Sequence, residues 1–308
     1  MSLINSPHPF SFNGSGGLYS GPFSFKGSGG LYSGIPANLL LVHPPEGIGL
    51  IWSAKSACTT SIIWYFAVAG LLKEAMAYDP WPHKFRMNVL LPSASYRSWK
   101  VVNPRKLAWV RVIRDPYKRA VSSFRHVIRY WKSPDLNMAR KQLGFDLNLE
   151  SLSFDLFLSR LKAVDVSRQR GRGRVVEIHG GLEKRFLSDP RDVDVNCDIH
   201  ILQQVHWLES YIRPTRIINA DKEPLLNALL DFRSVPQDVR LDIDTYLSKQ
   251  LHHFSVRTPN NSDVSKHSFK IAETSSDWPE YSDFLNASTR QKIESIYCAD
   301  FEAYGDFL

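Results

Sequence analysis

The chain has 308 residues, 43% of them apolar and 22% charged, which is ordinary for a globular protein and excludes wholesale disorder or a fibrous chain. That length can bury a sizeable core in one large domain or two small ones, and no run of ~18–20 apolar residues predicts a membrane span. Lys and Arg outnumber Asp and Glu by 38 to 31, a net charge of +7, and three cysteines cannot build a disulfide framework, so a reducing compartment is expected.

In chain order, the first zone is compositionally separate. Residues 9–21 (PFSFNGSGGLYSG) and 22–34 (PFSFKGSGGLYSG) are tandem copies that differ only at Asn13 and Lys26. Two copies are too few for a stacked solenoid, and their glycines make ordering costly in entropy. Residues 1–34 therefore read as a flexible tail, and residues 35–308 as the globular domain. No signal-peptide pattern opens the sequence.

The pattern then predicts a buried strand at Gly49–Ser53 and a mostly apolar helix at Thr60–Ala77. A second buried strand is predicted at Leu107–Ile113. A helix over Pro116–Trp131 follows, with Pro in its first turn. Residues 150–163 read as helix, Arg216–Ala220 as a third strand leading into a helix to about Leu230, and Ser288–Phe301 as a C-terminal helix. Strands alternating with helices predict an α/β fold around a mostly parallel sheet, with ligands at the carboxyl ends of the strands.

The charge is local. Residues 97–132 hold eleven Lys/Arg and one acid, Asp115, a net +10, while the rest of the chain sums to −3. Such a cluster suits an anionic ligand, or else a solvated helix face.

Two loops carry chemistry. After the first strand comes Ala54-Lys55-Ser56-Ala57-Cys58-Thr59-Thr60. Small residues entering a helix expose backbone N–H groups to an anion, Lys55 adds a full charge, and Thr59 and Thr60 add hydroxyls. It is not the nucleotide-binding G-x-x-x-x-G-K-[ST] loop, since it has no glycine. Cys58 reads as a small packed cysteine, because no base is nominated by spacing. After the second strand comes Arg114-Asp115-Pro116-Tyr117-Lys118-Arg119-Ala120-Val121-Ser122. Arg114 leaves the strand end with a fork suited to phosphate, and Ser122 lies two turns into the helix.

This second loop resembles the 3′-phosphate motif of sulfotransferases, R-[DN]-P-x-x-R-x-x-S, in full. The earlier loop is similar to that family's 5′-phosphosulfate loop, with Ala54 where the family has Pro before the lysine. The two lie ~55–60 residues apart in the right order. Residues 297–305 (Tyr297-Cys298-Ala299-Asp300-Phe301-Glu302-Ala303-Tyr304-Gly305) resemble the Y-x-x-D-F-x-x-[FY]-G ending of the carbohydrate-type branch. The resemblance covers residues 48–308.

It implies a P-loop-like three-layer α/β/α sandwich that moves a sulfuryl group from 3′-phosphoadenylyl sulfate (PAPS) to a hydroxyl of a carbohydrate or small molecule, leaving PAP, without a metal. Lys55 would stabilise the leaving phosphate oxygen. The N–H groups of Ser56, Ala57, Cys58, Thr59 and Thr60 would hold the 5′-phosphate, Arg114 and Ser122 the 3′-phosphate, and Lys266 would be a further donor contact. The family's general base is His or Glu, often between the two motifs. His83, in Pro80-Trp81-Pro82-His83-Lys84, leads Glu74, His200 and His206. His126 reads as structural, and the arginine-rich residues 168–174 as a solvated loop or a lid. With the Golgi-type anchor of animal relatives missing, a cytoplasmic protein is expected.

The alternative is a phosphoryl-transfer enzyme or NTPase on a related P-loop fold, which requires a lysine after a glycine loop and a metal-holding acid, neither evident. A nucleic-acid partner is not expected, because much of the basic segment lies in a buried strand or a compact loop.

Overall fold

Gly49 shows why the sheet is built as it is: a Cβ there would fall 2.3 Å from the Trp109 ring, so only glycine lets these two strands lie together. In the computed structural model, residues 40–99, 104–166, 198–206, 209, 212–250, 257–258, 263–271 and 278–308 are described. The tandem repeat and the arginine-rich stretch lie outside them.

The elements run β1 (Leu40–His43), β2 (Ile48–Ile51), α1 (Cys58–Val68), α2 (Leu72–Tyr78), α3 (Pro82–Phe85), α4 (Ala94–Trp99), β3 (Ala108–Ile113), α5 (Pro116–Tyr130), α6 (Asn137–Leu143), β4 (Ser151–Ser153), α7 (Phe154–Leu161), β5 (Arg216–Asn219), α8 (Leu225–Phe232), α9 (Gln237–Ser248), β6 (Arg257–Thr258), β7 (Ser268–Lys270), β8 (Trp278–Pro279), α10 (Ala287–Ile296) and α11 (Cys298–Tyr304). The central sheet has the order β1-β2-β3-β5. β2, β3 and β5 are parallel, paired Leu50 to Val110 and Val112 to Ile218, and β1 is an antiparallel edge. The protein is thus α/β with a mostly parallel sheet and helices around it.

Two cores divide the helices. The larger joins apolar strand residues such as Leu50, Val110 and Ile218 to α1, α2, α8 and α9. α1 is apolar almost all round, and seven consecutive residues, Ser61–Ala67, are buried, as a helix packed on several sides requires. The second core forms among α5, α7 and α10 and takes no residue from the central sheet. Between the sheet and this second core lies a polar layer, described below.

Three sequence expectations need correction. The helix expected over Thr60–Ala77 is two helices. Gly70 adopts φ 70°, its N–H donates to Ala67 O (3.2 Å) and Leu71 N–H donates to Phe66 O (2.8 Å), a Schellman ending that stops α1. The expected helix at 150–163 begins as a strand. Ser151–Ser153 pairs with β7, and Ser153 then caps α7 through its hydroxyl (3.2 Å from Leu156 N). The C-terminal helix breaks at Tyr297, whose buried hydroxyl donates to Ile201 O (3.0 Å). Among the described residues no helix is long and apolar enough to cross a membrane.

Candidate functional site at the carboxyl ends of the parallel strands

Parallel pairing brings the ends of β2, β3 and β5 together, and with them the loops that start at Trp52, Arg114 and Ala220. The β2–α1 loop turns through two left-handed residues, Lys55 (φ 67°) and Ala57 (φ 52°). Neither is glycine, and such a conformation costs of order 1–2 kcal/mol per residue. Ala57 is the N-cap of α1 and has no side chain that can cap. Ala57 thus offers the first N–H groups of α1 no N-cap side chain, and they have no intrahelical acceptor, which leaves an electropositive end beside Lys55.

Lys55 is half-buried. Burial holds its pKa below the ordinary lysine range, and the nearby Arg114 guanidinium pushes it further down, against the opposing influence of Cys58. Thr59 is buried and Thr60 half-buried in the first turn of α1.

The β3–α5 loop divides its motif between helix construction and anion chemistry. Asp115 is the N-cap of α5: its carboxylate accepts from Tyr117 N (2.7 Å) and Lys118 N (3.3 Å), and Pro116 follows in the first helical position. Arg119, three residues before Ser122, is turned inward. It is fully buried, donating to Ala54 O (3.1 Å) and to Leu202 O, 4.0 Å from Asp300 and stacked on Tyr297. Its task is to hold the lysine loop from beneath. Ser122 is half-buried, and its neighbour Ser123 donates to His200 O (2.5 Å).

Arg114 reaches back across the site. Its guanidinium donates to Lys55 O (3.2 Å), to Tyr281 Oη (3.1 Å) and to the Asp221 carboxylate (3.3 Å). Burial alone would lower its pKa, but Tyr281 and Asp221 outweigh that and hold it more firmly protonated than usual. Three of its five N–H groups are thereby engaged.

The residue that ties the two loops together is Gln204, buried and far away in sequence. Its Oε1 accepts from Ser56 Oγ (3.0 Å) and Arg114 N (2.8 Å), and its Nε2 donates to Arg114 O (2.7 Å). Its carbonyl accepts from Arg111, the buried cation in the middle of β3, which also pairs with Glu209 (3.2 Å). The buried Asp300 carboxylate accepts from Gln204 N (2.6 Å) and Val205 N (3.0 Å). This is the polar layer between sheet and second core. In the sequence this region stood out only through His200 and His206, as candidate bases. Asp221, which accepts from Arg114 and Asp115 N and lies 3.5 Å from Lys118 Nζ, carried no signal at all.

His83 lies in the short helix α3, not in an open loop, and its Nε2 is 3.5 Å from Cys58 Sγ. Glu74 is exposed on α2. His200 pairs through Nδ1 with Asp198 (2.8 Å) and stacks on His126 with ring centroids 3.8 Å apart. His206 is buried, with its backbone N–H on Glu209 (2.9 Å). Lys266 is on a separate, exposed turn. The structure thus gathers Lys55, Ser56, Cys58, Thr59, Thr60, Arg114 and His83 around the start of α1.

Among the described residues, no three His, Cys, Asp or Glu side chains gather as a metal-ligand set. Comparisons with family models, with curated proteins and with solved structures each found no match, so the chemistry has to be read from these side chains.

Proposed function

We propose that the protein is a sulfotransferase that uses PAPS as donor and a carbohydrate or small hydroxylated molecule as acceptor, on a P-loop-like α/β/α frame. The observation that carries this reading is the adjacency of the two anion loops: Arg114 donates to the carbonyl of Lys55 itself (3.2 Å), and Gln204 bridges both. A donor with phosphates at both ends of a nucleoside needs two cationic cradles at neighbouring strand ends. The uncapped start of α1 suits the 5′-phosphosulfate, and Arg114 with Ser122 suits the 3′-phosphate.

In the transfer the acceptor oxygen bonds to sulfur as the bond from sulfur to the phosphate oxygen breaks, and the acceptor proton passes to a base. Lys55 would stabilise the charge that grows on the departing oxygen, an effect worth most in a site with little water. His83 is the imidazole that lies beside the α1 start and is the leading candidate base.

Calorimetric titration with PAP tests the donor site. Binding is expected, weaker for adenosine 5′-phosphosulfate, which lacks the 3′-phosphate. A chain that binds neither PAP nor PAPS at low salt sinks the proposal, and magnesium-dependent ATP turnover would replace it with phosphoryl transfer. A labelled-sulfate screen over hydroxylated acceptors then identifies the substrate.

A further inference from the structure

Cys58 and His83 are 25 residues apart, with Nε2 3.5 Å from Sγ. They meet because α1 and α3 pack in one core, where Phe66 and Phe85 stack edge to face (5.2 Å between centroids). The Trp81 ring packs against the imidazole, with centroids 5.1 Å apart. The thiol is half-buried rather than sealed, whereas Cys298 is exposed. A thiol with an imidazole nitrogen in reach, in the first turn of a helix and beside Lys55, has a proton acceptor placed for attack on a disulfide.

We propose that Cys58–His83 is a thiolation site, a place where a small disulfide reacts with the protein in preference to the exposed Cys298. In the step, His83 takes the thiol proton as Sγ attacks one sulfur of the disulfide. The S–S bond breaks, a mixed disulfide forms on Cys58, and the departing thiolate takes the proton from His83. One thiol and one disulfide become one mixed disulfide and one thiol, and excess free thiol reverses it. Because Cys58 opens α1, the added group would stand where the proposed donor phosphate sits. The reaction is therefore also a switch for donor binding, and that part alone rests on the sulfotransferase reading.

The test uses the full chain and dithiodipyridine, with peptide mapping to assign the rate at each cysteine. Cys58 should react faster than Cys298 near neutral pH, by roughly tenfold or more if the imidazole assists. His83→Asn should remove most of that advantage while Cys298 reacts as before, which also shows that the variant is folded. Cys58→Ser should lose the fast phase. A Cys58 no faster than Cys298, or one indifferent to His83→Asn, overturns the proposal. Saturating PAP should slow Cys58 alone. Fast reaction without PAP protection keeps the thiolation site, overturns the switch, and counts against the donor site.

Discussion

The cations of the lysine loop and of the basic stretch are of two kinds. Arg111 and Arg119 are fully buried and turned inward, onto Glu209, Asp300 and backbone carbonyls. Lys55 and Arg114 stand at strand ends and keep partial access to solvent. Three acids from distant parts of the chain, Glu209, Asp221 and Asp300, answer Arg111, Arg114, Lys118 and Arg119 of that +10 field from within. Local net charge therefore does not measure attraction for an anion. What matters is which cations sit at a strand end with donors to spare.

That comparison can be broken most forcefully at Arg119. Arg119→Met takes the guanidinium from beside Asp300 and from the Ala54 and Leu202 carbonyls, so stability should fall by about 3–5 kcal/mol in denaturant unfolding. Retained stability with lost PAP binding would make it a ligand group instead. Lys55→Ala should do the reverse. Turnover should drop roughly 10²–10³-fold with much smaller loss of PAP affinity, while unfolding free energy stays within about 0.5 kcal/mol of the parent. Arg114→Ala should cost about 1.5–3 kcal/mol of PAP affinity by calorimetry, the worth of a charge-assisted hydrogen bond. It should be accompanied by some loss of stability, because Asp221 keeps only Lys118 and the Asp115 N–H.

The smallest effect is in pH. Lys55 has a folded pKa below its unfolded one, so between the two values the unfolded chain binds the extra proton and stability of the free protein rises with pH. An anion at the site reverses this by favouring the charged amine. PAP affinity should therefore weaken as pH climbs through that window, with proton uptake on binding. Calorimetry in buffers of different protonation enthalpy, stepped upward in pH toward the ordinary lysine pKa of about 10.4, reads the uptake directly. Equal heats in all buffers at every step would show that Lys55 does not face the ligand.

Much of the frame was legible because its signals are local. The strand cores, the Asp-Pro start of α5 and each of the two loops rest on residues within a few positions of one another. The breaks at Gly70 and Tyr297 were missed because apolar periodicity continues across them, and a C-cap or a tertiary hydrogen bond decides against it. Gln204, Asp221 and the Cys58–His83 contact were not legible. Each depends on which strand ends or helices become neighbours in space, and spacing along the chain carries no trace of that.

Gln204 also bears on the order in which the protein can assemble. Its bond to Ser56 spans 148 residues, its bonds to Arg114 span 90, and Asp300 grips it from 96 residues further on. A newly made chain that has produced both anion loops still lacks the clamp between them. Closing contacts so distant is entropically late and slow. The two loops thus come into register only when nearly the whole domain has been synthesised, and an incomplete chain is spared a working site.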